Sequence, residues 1–144
     1  MIIKQATRDE IKDISALYVE TYNAPPWQDE WSIETASNTL SYMFDSNDNY
    51  ALVAEIENEI VGAIIGKYEL YYSGMQIIVK SFLVKPNMQN QGIGSKLLQE
   101  LEIKLKEQNI KYIYLLTDKR EKEAFYQERN YTTTENLIIM GKSL

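Results

Sequence analysis

A chain of 144 residues, 44% of them hydrophobic, is long enough to bury one core, and residues 1–144 are read as a single domain. It has neither cysteine nor histidine, which excludes disulfides, thiolate metal sites, cysteine nucleophiles, the Ser-His-Asp triad and the usual zinc sites. The formal charge of −6 with scattered lysines offers no basic face for nucleic acid and favours cationic partners such as amines. No apolar run approaches the roughly 20 residues that span a bilayer, and "MIIKQATRDE" carries no secretory leader. The expected compartment is the cytoplasm, with no membrane partner.

Taken in chain order, "MIIKQ" predicts a first strand. Thr7 and Glu10 form the pattern of a capping box, opening a helix with Ile11, Ile14, Leu17, Tyr18 and Tyr22 on one face. "NAPPWQDEW" stops that helix, because Pro25 and Pro26 cannot continue it. Ser32 caps a second helix carrying Ile33, Ala36, Leu40 and Met43 to about Phe44. Three strands follow over 50–56, 59–72 and 75–84, linked by tight turns at Asn58 and Ser73-Gly74. A long helix over 92–108 has Ile93, Leu97, Leu98, Leu101 and Leu105 as its apolar face. "KYIYLL" at 111–116 predicts a buried strand, and Lys119 to Arg129 a last helix. "YTTTENLIIMGKSL" supplies one or two closing strands, which could pair across a twofold to make a homodimer. This order requires a mixed sheet in which only the crossover through the long helix is parallel.

The turn Gln89-Asn90-Gln91-Gly92-Ile93-Gly94 lies at the mouth of that helix. A helix N-terminus presents unsatisfied amides and a positive dipole end, and two glycines let a diphosphate approach the backbone. No GxxxxGK[ST] is present, and a GxGxxG would need a third glycine. Two readings stand side by side: a pyrophosphate cradle, or a bend in which glycine only relieves strain.

Val84-x-Pro86-x-x-Gln89-x-x-Gly92-x-Gly94 with its following helix resembles the acyl-CoA motif of the GNAT superfamily of N-acetyltransferases. "AFYQERNY" (Ala124 to Tyr131) is similar to that family's "FYxKxGF" element, and "YNAPPWQDEW" to its loop between the first two helices. The resemblance implies an α/β fold with a mixed, mostly antiparallel central sheet of about six to seven strands, a splayed parallel pair and about four flanking helices. It implies acetyl-CoA as cosubstrate. Pantetheine would lie against Phe82, Leu83 and Val84, and near Thr117 and Lys119. The pyrophosphate would lie on the amides of Gln89, Asn90, Gln91, Gly92, Ile93, Gly94 and Ser95.

Acetyl transfer to an amine needs a neutral amine, a stabilised oxyanion and a protonated leaving thiol. The thiol has a pKa of about 8.5, so a tyrosine suffices as acid. The resemblance assigns that role to Tyr126, and the Val84 amide is the oxyanion donor. Relatives carry a glutamate on the fourth strand; here Lys80 and Ser81 stand there, leaving Glu69, Asp29 or Glu30 to anchor a water as base. Asn130 replaces the family's glycine and can still form a left-handed cap. Lys119 replaces an asparagine, while Asp118 with Glu121 reads as a capping box. The acceptor wall combines aromatics and carboxylates: Trp27, Asp29, Glu30, Trp31, Tyr71 and Tyr72. The expected function is transfer of acetyl to a small cationic amine, such as a polyamine, amino sugar or aminoglycoside, by direct attack in a ternary complex. The alternatives are a non-catalytic acyl-CoA-binding sensor and an acetylase of protein N-termini or lysines.

Overall fold

The computed structural model describes all residues from Met1 to Leu144. The elements are β1 (Ile2–Gln5), α1 (Ile11–Tyr22), α2 (Ile33–Asp45), β2 (Asn49–Ile56), β3 (Glu59–Tyr71), β4 (Gly74–Val84), α3 (Ile93–Glu107), β5 (Tyr112–Leu115) and α4 (Glu123–Gln127). Short 3-10 turns precede α1 at Arg8–Glu10 and α3 at Pro86–Met88. The expected caps are present. Thr7 and Glu10 form a reciprocal capping box, and the Ser32 hydroxyl accepts from the Thr35 amide at the start of α2.

The strands follow one another in space as β1-β2-β3-β4-β5. The first three pairings are antiparallel, and β4 with β5 is parallel across the α3 crossover. Glu57 and Asn58, both at positive φ, make the tight link between β2 and β3. Alternation divides the core between two faces. Ala51, Val53, Ala63 and Ile65 face α1 and α2 with Ile14, Leu17 and Leu40. Leu52, Ala54, Ile64 and Ile77 face α3 with Leu97, Leu98 and Leu101.

Two features of β4 create the site. Ile65 pairs with Ser81 but Gly66 with Val79, so Lys80 is an extra residue that bulges the strand. Pairing with β5 runs only from Gln76↔Tyr112 to Val79↔Leu115. Beyond Val79 the two parallel strands part, leaving a notch.

The sheet has five strands, fewer than the six to seven the sequence suggested. Residues 132–144 form no strand, because nothing lies beside them to complete a ladder. The last helix is also shorter than Lys119 to Arg129. The Asp118 carboxylate accepts from the amides of Arg120 and Glu121, which holds the segment before Glu123 in turns.

Candidate active site

The notch opens into a cleft of about 890 Å³ that runs from the start of α3 to the loop between α1 and α2. Of the residues singled out in the sequence, Phe82, Leu83, Val84, Gln89, Asn90, Gly92, Ile93, Gly94, Ser95, Thr117 and Tyr126 line it, as do Trp27, Asp29 and Trp31. Gln91, Lys119, Glu30, Tyr71 and Tyr72 are exposed and do not. Glu69 also lies outside it. Glu69 pairs with Gln76, five positions along β4 from Ser81, roughly 16 Å at strand rise. There its carboxylate accepts from Tyr114 (2.7 Å) and Gln76 (3.1 Å), and these bonds hold its pKa below the usual carboxylate value.

At one end, the first α3 bond outside the turn is donated by Lys96 to the Gly92 carbonyl. The amides of Ile93, Gly94 and Ser95 therefore have no intrahelical acceptor. The two glycines differ in what they do. Gly92 has φ of +86°, a left-handed conformation that the bend itself requires. Gly94 is helical, and a Cβ there would make only ordinary contacts, 3.6 Å to Phe82 and 3.7 Å to Val84. Neither strain nor crowding demands glycine at 94. Its bareness leaves the wall of the cleft open.

Arg129, read from the sequence only as the end of the last helix, stands beside this helix start. Its guanidinium stacks 3.8 Å from the Phe125 ring centre and donates to the Ser95 hydroxyl and, at 2.7 Å, to the Phe125 carbonyl. Asn130, at φ +68°, ends the α4 turn in the left-handed conformation expected of it.

Along the notch, Lys85 donates its amide to Val61 on β3 (2.8 Å). By strand alternation the amides of Phe82 and Val84 point the other way, past the end of β5. The Phe82 amide donates to the Tyr22 hydroxyl at 3.2 Å. Val84 accepts on its carbonyl from the Gln89 side chain at 3.0 Å. Tyr22 was read only as part of an apolar helix face. Its hydroxyl instead reaches β4 beside a second pair, Tyr18 and Ser81, whose hydroxyls are 3.1 Å apart. Burial pushes both tyrosines above the ordinary phenol value, so both are neutral near pH 7.

Tyr126 packs against Phe82, with ring centres 6.4 Å apart, and against Tyr131 at 5.7 Å. Burial pushes its pKa up to about 12, and Thr117 partly offsets the shift. At neutral pH it is a proton-bearing hydroxyl on the cleft wall.

The far end is aromatic and acidic. Tyr18, Tyr22, Trp27 and Trp31 pack edge to face with centres 4.6 to 6.0 Å apart. Asp29 sits among them, accepting from the Trp31 indole at 3.1 Å, while its amide donates to Tyr22. Asn23 clamps the loop by exchanging two bonds of 2.8 Å with the Trp31 backbone. The Thr21 hydroxyl, buried on the cleft wall, has no partner.

Comparison with known proteins gives the same picture. The model of the acetyltransferase (GNAT) family matches residues 11–131. An acetyltransferase of Sodalis glossinidius (strain morsitans) is 28% identical, the match covering 100% of this chain and 96% of that one. A possible acetyltransferase from Clostridium difficile 630 superposes with a TM-score of 0.84 at 16% identity, covering 99% of this chain and 97% of the other. An aminoglycoside acetyltransferase from an uncultured soil metagenomic sample, solved with sisomicin, gives 0.80 at 23% identity, covering 99% and 95%.

Proposed function

The chain belongs to the acetyltransferase (GNAT) family and is an N-acetyltransferase; from that premise we propose that it transfers acetyl from acetyl-CoA to the primary amine of a small cationic acceptor. The observation that carries this reading is the continuity of the cleft. One channel joins a bare helix start, two outward amides and an aromatic-acidic end. Its dimensions and chemistry suit a diphosphate, an amide-bearing arm and an amine in that order.

The free amides of Ile93, Gly94 and Ser95, with Arg129 beside them, would hold the diphosphate. Acetyl-CoA supplies an activated thioester carbonyl. Val84 would offer its amide to pantetheine or to the developing charge on that carbonyl oxygen, and Phe82 would do so on release from the Tyr22 hydroxyl. Asp29, framed by Trp27 and Trp31, would hold the incoming ammonium until solvent takes its proton. Tyr126, still protonated, would give its proton to the departing sulfur, which has an ordinary pKa of about 8.5. One C–N bond forms and one C–S bond breaks; of the two protons the nitrogen loses, one goes to solvent before attack and the other, by way of solvent, restores Tyr126. No covalent enzyme intermediate is needed.

The test is release of free CoA from acetyl-CoA with a panel of polyamines, amino sugars and aminoglycosides, alongside thermal shift with CoA. The aminoglycoside acetyltransferase neighbour puts sisomicin in that panel. Turnover with an amine supports the transfer and names the acceptor class. A chain that CoA does not stabilise would remove the cradle and with it the proposal.

A further inference from the structure

Tyr22 ends α1 and lines the cleft where the aromatic-acidic end meets the notch. Its hydroxyl oxygen accepts from the Phe82 amide at 3.2 Å. A phenol that accepts from an amide still has its own O–H to donate. Burial holds this phenol above its free value, so the proton is in place near pH 7.

The neighbours of Tyr22 fix where that hydroxyl stands. Its ring packs edge to face on Tyr18 and Trp27, with centres 4.6 and 6.0 Å away. Its backbone carbonyl accepts from the Asp29 amide at 2.9 Å, which ties it to the acidic end of the cleft. Beside it, the Tyr18 and Ser81 hydroxyls stand 3.1 Å apart, with Ser81 fully buried on β4. Beyond the Phe82 amide, the Phe82 ring meets Tyr126 at 6.4 Å between centres. Phe82 thus lies between the Asp29 loop and the Tyr126 phenol. A carbonyl oxygen at its amide has the amine end on one side and the sulfur end on the other.

We propose that the Tyr22 hydroxyl is a catalytic hydrogen-bond donor, sharing with the Phe82 amide the thioester carbonyl oxygen of bound acetyl-CoA. This role rests on the transfer proposed above. Two donors that hold one oxygen at about 2.9 Å stand roughly 4 Å apart. The hydroxyl and the amide are already 3.2 Å apart, so a shift of about an ångström makes room for the oxygen and frees the amide. Before acetyl-CoA binds, the phenol covers an amide that no strand pairs. Once it binds, the same phenol turns from acceptor to donor. As the amine attacks, the C=O electron pair moves onto oxygen, and both hydrogen bonds tighten on the charge. The carbonyl re-forms as the C–S bond breaks. Tyr22 keeps its proton throughout, and the sulfur takes its proton from Tyr126.

The test uses acetyl-CoA isotope-labelled at the carbonyl carbon, bound without amine, with its C=O stretch read by difference infrared spectroscopy. The band is expected below that of free acetyl-CoA, and in Tyr22→Phe it is expected to move part of the way back. The same variant keeps the ring packing and is expected to lower kcat about a hundredfold with the best amine of the panel. Its affinity for free CoA, which lacks that carbonyl, is expected to stay within about twofold of wild type. A wild-type band that does not shift, a band equal in both proteins, or an unchanged kcat overturns the proposal. A loss of free-CoA affinity as large as the loss of kcat puts Tyr22 on the pantetheine arm or in the fold, and overturns it too. A wild type that CoA does not bind is a separate result, removing the transfer and this role together.

Discussion

In the proposed reaction Tyr126, Gly94 and Asp29 take three separate tasks, and each has its own readout. Tyr126 keeps its proton well above neutrality because burial holds its pKa near 12. Tyr126→Phe is expected to lower kcat by about tenfold to a hundredfold, the low end of general-acid effects for a good leaving group, with no change in CoA thermal shift. An unchanged kcat would remove the acid role. A rise of kcat with pH below about pH 10 is expected from deprotonation of the amine, and no fall there is expected from this phenol. At Gly94 the backbone is ordinary and a Cβ meets nothing closer than 3.6 Å. Gly94→Val is therefore expected to leave the unfolding midpoint in urea nearly unchanged while weakening CoA binding at least about tenfold, about 1.4 kcal/mol. Gly92→Val differs, since a branched residue at φ +86° also destabilises the fold by about 1–2 kcal/mol. Asp29→Asn removes the negative charge among the tryptophans while keeping the bond geometry. It is expected to raise KM for the amine about tenfold and to spare CoA affinity, as steady-state kinetics would report.

Among the elements, the clearest sequence signals were local ones. The Thr7 and Ser32 caps, the turn at Asn58, the left-handed Asn130 and the glycine mouth of α3 depend on neighbours within a few residues. They could be read before any tertiary contact was known. Tyr22 could not. Its spacing with Ile14 and Tyr18 is that of a buried helix face, and only folding brings it to the Phe82 amide, sixty positions away in sequence. Arg129 was hidden for the same reason: a lone cation in a short helix means little until Ser95 and Phe125 surround it. Glu69 differs in the other direction, since it lies outside the cleft. A carboxylate near a strand end suggested a base, yet strand rise sets it well along the sheet from the notch. The run "LIIM" read as a strand because its residues favour one, but a strand exists only with a neighbour, and one chain supplies none. At the start of α3, Arg129→Gln is expected to weaken CoA binding about threefold to tenfold, with a shallower salt dependence, measured by calorimetry at two ionic strengths.

For the whole molecule, composition set the limits that mattered most. Histidine and cysteine are absent, and the cleft is lined instead by tyrosines, open backbone amides, Asp29 and Arg129. That choice has a consequence for stability. Tyr18, Tyr22, Tyr50, Tyr68, Tyr114, Tyr126 and Tyr131 all hold their protons more tightly than free phenols; burial leads in each except Tyr114, whose bond to Glu69 comes first. The folded state therefore binds more protons than the unfolded one above the free value near 10. Their contribution is complete below about pH 10 and is lost as pH rises through the folded values, about 12 for Tyr114 and Tyr126. The melting temperature is expected to be nearly flat from roughly pH 7 to 9 and to fall steeply above pH 10. A fall that begins near pH 8 would place the loss on other groups.

The proposed transfer requires the cleft to hold thioester and amine together on one chain. Its most direct test is to incubate the protein with acetyl-CoA and the best amine of the panel, and to measure free CoA and acetylated amine by mass in the same sample. Equal amounts of the two, rising together and with intersecting double-reciprocal lines when both substrates are varied, are expected. CoA released without acetylated amine, or parallel lines that betray an acetylated enzyme, would contradict direct transfer.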